Sequence, residues 1–417
     1  MLKKILPFFY HALLTLVVYV IHMNKYVNSM LNDFKAVIDQ GYLTEVYEFH
    51  KTGQAAFMKR PITTFLIEKI HLLFKIELGT AFVWLNFVSL FCASLFLFFL
   101  SKTLTKSYLK AYLNSLLFFL CFPIIFMFFV PIYTYDEPLQ LVFIFAALLA
   151  FFKQKQVLFL ILFTVSVFVR ESSLLLLPAI FVLKFPSVRL STIFSVVKAN
   201  LMHVLFLVSP AIVYFGAIKI YVNYFNIQQV EAQENAIRWM CLLQNFESDK
   251  SVFESIAAFF LVLLIPVYFI VTTKSTELFT SKNKGLVKAF IITLVVNTLI
   301  AYSMTKVREA RILMLPLVFL WPVFSAVFFS KIKIFFISKN WINFLKNPII
   351  VLSFLVLMCF NYYLAFLKYE TTIGNEKHHV FKYYFFALLT VFFIHVCLSI
   401  ANKQKKQLQN ETAFKIN

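Results

Sequence analysis

Few residues in this sequence could do chemistry, and they are gathered into short pieces. Charged residues make up 14% of the chain, against about 25% in soluble domains. Four pieces set charged groups side by side, two of them pairing acids with arginines: Lys59-Arg60-Pro61, Tyr133-Thr134-Tyr135-Asp136-Glu137-Pro138, Arg170-Glu171 and Arg308-Glu309-Ala310-Arg311. Asp33 stands apart, about ten residues beyond the first apolar run. Arginines hold phosphate oxygens through paired hydrogen bonds. A carboxylate takes a proton from an attacking hydroxyl, and the same arginines stabilise the charge that develops on a departing phosphate. The plainer alternative is that these groups close helix ends as ion pairs, for instance Arg170 with Asp136. Asp136, between Pro131 and Pro138, also suits a helix N-cap, and Glu137 suits the first turn of the helix that follows. Arg170 has apolar sequence on both sides, where an ionisable group is costly unless it faces a cavity or a partner.

Other chemistries find no support. His378-His379 has no helical partner at metal-ligand spacing and reads as solvated loop. No phosphate-binding glycine loop, DxD pair or GxSxG elbow is present. The five cysteines form no CxxC pair; four lie in apolar runs, and Cys241 is expected alone in a loop. No cofactor is expected, and the sequence leaves a divalent metal open.

The elements that must carry these residues belong to a membrane. The chain is 61% hydrophobic with a mean hydropathy of +0.83, too apolar for an aqueous surface. Apolar runs fall near 5–22, 79–100, 111–130, 138–152, 157–169, 174–183, 201–224, 252–273, 286–304, 312–330, 348–367 and 382–400. About 12 membrane segments are therefore expected, several shorter than the roughly 20 residues of a full span. The expected fold is all-α, a polytopic transmembrane helical bundle forming one domain over 1–400, with a cytoplasmic tail at 401–417 that frays from Asn402. Lys3-Lys4 and the run after it imitate a signal peptide, but with no small-residue cleavage site they read as the first span.

Charge orients the bundle. The net charge of +20 would suggest nucleic acid in a soluble protein. Here the basic residues sit in short loops, so the lipid bilayer is the expected partner and nucleic acid is not. If 157–169 and 174–183 are two segments, 22 of the 39 basic residues fall on one side with only Glu277 and Glu411 of the 19 acids. Reading them as one span would invert every later loop against the positive-inside rule. The expectation is thus two short or re-entrant segments with Arg170-Glu171-Ser172-Ser173 at an outward tip, both termini cytoplasmic and the reactive groups extracytoplasmic. Outer loop 1, 23–78, carries helix-like apolar spacing from Val27 and again over Ile62–Ile76 after Pro61. The loop 225–250 also reads as an amphipathic helix.

The ordered pieces resemble the GT-C superfamily of polytopic membrane glycosyltransferases, particularly bacterial members. Phe57-Met58-Lys59-Arg60-Pro61-Ile62-Thr63, Tyr133–Pro138, Val169-Arg170-Glu171-Ser172-Ser173-Leu174-Leu175 and Val307-Arg308-Glu309-Ala310-Arg311-Ile312-Leu313 are similar to its recurring segments in order and spacing. The resemblance implies a GT-C-like fold in a bacterial inner membrane. It also implies transfer of a sugar from a polyprenyl-phosphate carrier to an acceptor glycan, lipid or protein. An acid of the first outer loop, Asp33, would be the base, with Asp136 as the alternative. Arg60, Tyr135, Glu137, Arg170, Glu171, Arg308, Glu309 and Arg311 would make substrate and phosphate contacts. The family's adjacent acidic pair is missing around Asp33 and occurs instead as Asp136-Glu137. The competing readings are a transporter or flippase of a lipid-linked saccharide and an O-antigen-polymerase-like enzyme. The lone arginine of the later outer loop, Arg238, counts against the latter.

Overall fold

Every regular element in the computed structural model is helical; no strand occurs among the described residues, which are 2–23, 60–129, 134–186, 193–224, 228–273, 281–369 and 379–416. Asp33, the Val27 stretch, Tyr133 and His378 lie outside them. The main helices are α1 (Leu2–Met23), α2 (Pro61–Phe74), α3 (Leu78–Thr105), α4 (Tyr108–Phe119), α5 (Glu137–Phe152), α6 (Gln156–Val169), α7 (Leu177–Lys184) and α8 (Leu201–Tyr224). They continue with α9 (Gln228–Gln244), α10 (Asp249–Val271), α11 (Ser281–Met304), α12 (Phe324–Ile332), α13 (Ser338–Leu345), α14 (Pro348–Tyr362) and α15 (His379–Ile416).

Seven helices are long and apolar enough to cross a membrane, and this is a multi-pass helical membrane protein. They account for seven of the twelve apolar runs. The other five, 111–130, 138–152, 157–169, 174–183 and 312–330, form short or broken elements instead. The last is bent by 94° between Arg311–Leu320 and Phe324–Phe336. The breaks follow local chemistry. Pro123 begins a four-residue turn after α4, and Arg170 takes an extended conformation that stops α6 before the 3₁₀ turn Glu171–Leu176.

The long helix α3 and the short helix α5 form the centre of the bundle. Two thirds of the apolar window of α3 is buried, whereas only 17% of the corresponding windows of α8 and α14 is. α5, between α3 and α6, is buried along most of its length. Phenylalanines fill this core, with Phe82, Phe98, Phe118, Phe145, Phe159 and Phe163 buried. Lipid supplies no hydrophobic drive between helices, so packing and polar clamps hold them together. Asparagines do this at the breaks, where backbone groups need partners away from water. Asn114 donates to Pro322 O (2.6 Å) and accepts from Ser325 N (2.7 Å). Asn297 donates to Ile312 O (2.9 Å), and Asn361 to Phe386 O (3.0 Å) beside the π-helical segment Tyr363–Lys368.

Gln156 at the start of α6 and Lys184 at the end of α7 line one cavity, so the chain reverses between them with Arg170 at the turn. Lys153 and Lys155, between α5 and α6, mark the opposite end of this unit. Two expectations differ from the structure. Cys241 is buried on helix α9, not in an open loop. α15 continues through the polar tail to Ile416, because 402–416 offers good helix formers and no Gly or Pro to stop it.

Candidate functional site: a network of arginines and carboxylates

Three helix ends and one irregular turn meet at the end of the bundle away from Lys153 and Lys155. α2 contributes Arg60, the residue before its first-turn proline. The connection into α5 contributes Tyr135, Asp136 and Glu137. The turn after α6 contributes Arg170 and Glu171, and the chain between α11 and α12 contributes Glu309 and Arg311.

Arg60 grips Glu171 with two hydrogen bonds, Nε to Oε2 at 2.6 Å and Nη2 to Oε1 at 2.5 Å. Its Nη1 lies 3.5 Å from Asp136 Oδ2. Arg170 Nη1 lies 2.8 Å from Glu137 Oε1 and 3.7 Å from Asp136 Oδ2. Arg311 reaches Glu137 Oε1 through Nε at 3.2 Å and donates from Nη2 to Glu309 Oε2 at 2.8 Å. One continuous chain of charge thus links the four pieces of sequence. Arg238 of α9 approaches Glu171 at 4.0 Å, which brings the lone arginine of the later outer loop to the rim.

The scaffold around these groups is specified locally. Tyr135 N donates to Glu137 Oε2 (3.1 Å), while the Tyr135 hydroxyl pairs with Thr64 (2.9 Å) and its ring stacks on Phe82. Gln140, one turn into α5, donates to Ser172 Oγ (3.0 Å) and Ser173 Oγ (2.9 Å). Ser173 Oγ donates in turn to Ser166 O (3.0 Å), so the Arg170 turn is pinned from both sides. Gln140 carries no charge and lies within an apolar run; nothing in the sequence singles it out.

Ala310 separates two arginines of the same segment. It is buried with φ 43° and ψ −37°, a positive φ that a residue with a Cβ adopts only at a cost. It lies between the turns Val307–Glu309 and Arg311–Met314. Beyond it Arg311 points inward to Glu137. Before it Arg308, 47% exposed, pairs with Glu254 of α10 at 3.7 Å. Arg308 therefore lies outside the network that holds the other described candidates.

Asp136 differs from its neighbours. It is 1% exposed, its Oδ2 faces Arg60 and Arg170, and the Thr63 hydroxyl lies beside it. Burial raises its pKa more than Arg60 and Arg170 lower it, and the result is about 6. Glu171 ends at the other extreme: burial works against its charge, but the Arg60 fork outweighs it and holds the carboxyl down at about 2. One acid of the network is thus a fixed anion, while another changes protonation near neutral pH. Among the described residues no group of three or more His, Cys, Asp or Glu is placed to hold a metal ion.

Comparison with family models, with curated proteins and with solved structures gives no match for this chain.

Proposed function

We propose that the protein is a membrane-embedded glycosyltransferase, moving a sugar from a polyprenyl-phosphate carrier to an acceptor at the extracytoplasmic face, with Asp136 as general base. The observation that carries this reading is the Asp136 carboxyl, buried between Arg60 and Arg170 with a pKa of about 6. A base working near neutral pH is most effective with a pKa in this range. In the step, Asp136 takes the proton of the acceptor hydroxyl while that oxygen bonds to the anomeric carbon. The bond from that carbon to the carrier phosphate breaks, and its electron pair leaves on the phosphate oxygen.

The arginines divide the work. Arg60 is committed to Glu171, and Arg170 is shared between Asp136 and Glu137; both serve to position the carboxylates. Arg238, about one third exposed and only 4.0 Å from Glu171, has the open guanidinium that a carrier phosphate would meet. Depth supports a lipid-linked donor. α5 has 16 residues, about 24 Å at 1.5 Å per residue, several ångströms short of the roughly 30 Å hydrocarbon core. With Lys153 near one interface, a helix of this length brings Asp136 close to the other, where the phosphate of a membrane-anchored carrier arrives. The lysine bias supports an outward-facing site with both termini cytoplasmic, and the resemblance to the GT-C superfamily implies a bacterial inner membrane.

The test is a purified preparation in lipid nanodiscs with polyprenyl-phosphate sugar and acceptor extract. Free carrier is expected from the native protein, and at least a hundredfold less from Asp136→Asn, the usual loss with a general base. Movement of the intact lipid-linked sugar across a bilayer without carrier release would instead favour a flippase.

A further inference from the structure

A second polar site lies beside the network. The first turns of α10, the end of α9 and the turn before Ala310 enclose a cavity of about 230 Å³, and every side chain lining it is polar. That is smaller than the roughly 300–1,000 Å³ of pockets for drug-sized ligands, and is on the scale of one sugar ring. Its walls are preorganised by Asn245, which donates to Tyr302 O (3.0 Å) and Thr305 O (2.8 Å) and accepts from Val307 N (3.1 Å). Tyr302 donates back to Ser255 O (2.9 Å), tying α11 to α10.

The charges in this cavity are balanced. Arg308 and Lys306 supply donors, Glu254 and Glu247 supply acceptors, and Ser251 and Gln244 supply both. A bare phosphate would meet two carboxylates here, and an apolar ligand would set a hydrocarbon surface against charged and polar walls. A polyhydroxyl ring satisfies both kinds of group, because each hydroxyl donates and accepts. Gln244 Oε1 is buried without a hydrogen bond among the described residues, and Arg308 has one ion pair, at 3.7 Å, with about half of its side chain exposed. Both have capacity for a ligand. The cavity also lies on the far side of Ala310 from Arg311, so two different ligands could occupy the two sites together.

We infer that this cavity is a saccharide subsite which, resting on the transferase reading above, holds a sugar ring of the acceptor while the Asp136 network meets the acceptor's reacting hydroxyl and the donor. Its test is saturation-transfer NMR on the full protein in lipid nanodiscs with methyl glucoside, methyl galactoside and methyl N-acetylglucosaminide as probes. At least one glycoside is expected to receive saturation. Its binding should weaken about tenfold or more in Glu254→Gln, the cost of one charge-assisted hydrogen bond. Ser251→Trp, which fills the cavity without removing a charge, should abolish the signal with the thermal transition retained. Asp136→Asn should leave it unchanged, and excess inorganic phosphate should not displace it. Silence with all three glycosides, insensitivity to both cavity variants, or displacement by phosphate would each overturn the assignment. Glycoside binding in a protein that releases no carrier would sink the transferase reading while leaving the subsite standing.

Discussion

Asp136 is held at a cost, and the cost is measurable. A carboxyl whose pKa rises from 3.8 to about 6 on folding is less stable as an anion in the native state than in the unfolded chain. The sign follows directly: the penalty is absent below about pH 4, grows as pH rises through the folded pKa, and is complete above it. Asp136→Asn removes the charge and keeps the shape. Its thermal transition in nanodiscs should therefore lie above that of the native protein at pH 8, by the equivalent of roughly 3 kcal/mol, with the difference vanishing towards pH 4. Carrier release by the native protein should rise with pH through about 6, since the base must be ionised. A variant that is both more stable and inactive marks a group retained for function; an Asn variant less stable at pH 8 than the native protein would instead make Asp136 a structural member of the ion-pair network. The pairing of Asp136 with Arg170 was readable from sequence, because both are ionisable groups next to apolar runs. The burial of Asp136 between Arg60 and Arg170 was not, since it depends on bringing together arginines from two distant segments.

The elements that build the site are the irregular ones, and this divides what sequence reading could and could not foresee. The reversal at Arg170 was foreseen from lysine distribution alone, because a single span there would reverse every later loop. The helix after Pro61 was foreseen from proline's preference for a first turn, and the structure begins α2 at that residue. The divergence of Arg308 and Arg311 was not foreseen. It depends on Ala310 at φ 43°, and nothing in an alanine announces a positive φ as a glycine would. Substitution at this position separates strain from packing. Ala310→Gly should keep carrier release and leave the thermal transition equal or higher, because glycine reaches this φ without steric penalty. Ala310→Val adds a branched Cβ at a buried, strained position and should cost about 2 kcal/mol or more, lowering the transition and misplacing Arg311. A glycine variant as damaged as the valine variant would show that the Ala310 methyl is needed for packing and that strain is not the issue.

At the scale of the whole molecule, the short ionic-ended α5 packs against the long buried α3, with more exposed long helices such as α8 and α14 around them. Seven long helices face lipid or complete the bundle, and the interior α5–α6 unit carries acids and arginines at one end and lysines at the other. That polarity makes the sidedness of the site a question of which end faces the cytoplasm. Lysine-rich turns are retained on the cytoplasmic side, so Lys153 and Lys155 should face inward and α9 outward. Single-cysteine labelling decides the point in a background where the five native cysteines are replaced. Trp239→Cys lies at an exposed position on α9 and should react with an impermeant maleimide in intact cells. Lys155→Cys, at an exposed position between α5 and α6, should react only after permeabilisation. The reverse pattern would turn the Asp136 network to the cytosol, where soluble nucleotide-linked sugars are available. A lipid-linked donor would then lose its main support, because the case for it rests on an outward-facing carboxylate near the membrane surface, beside which a carrier phosphate can arrive.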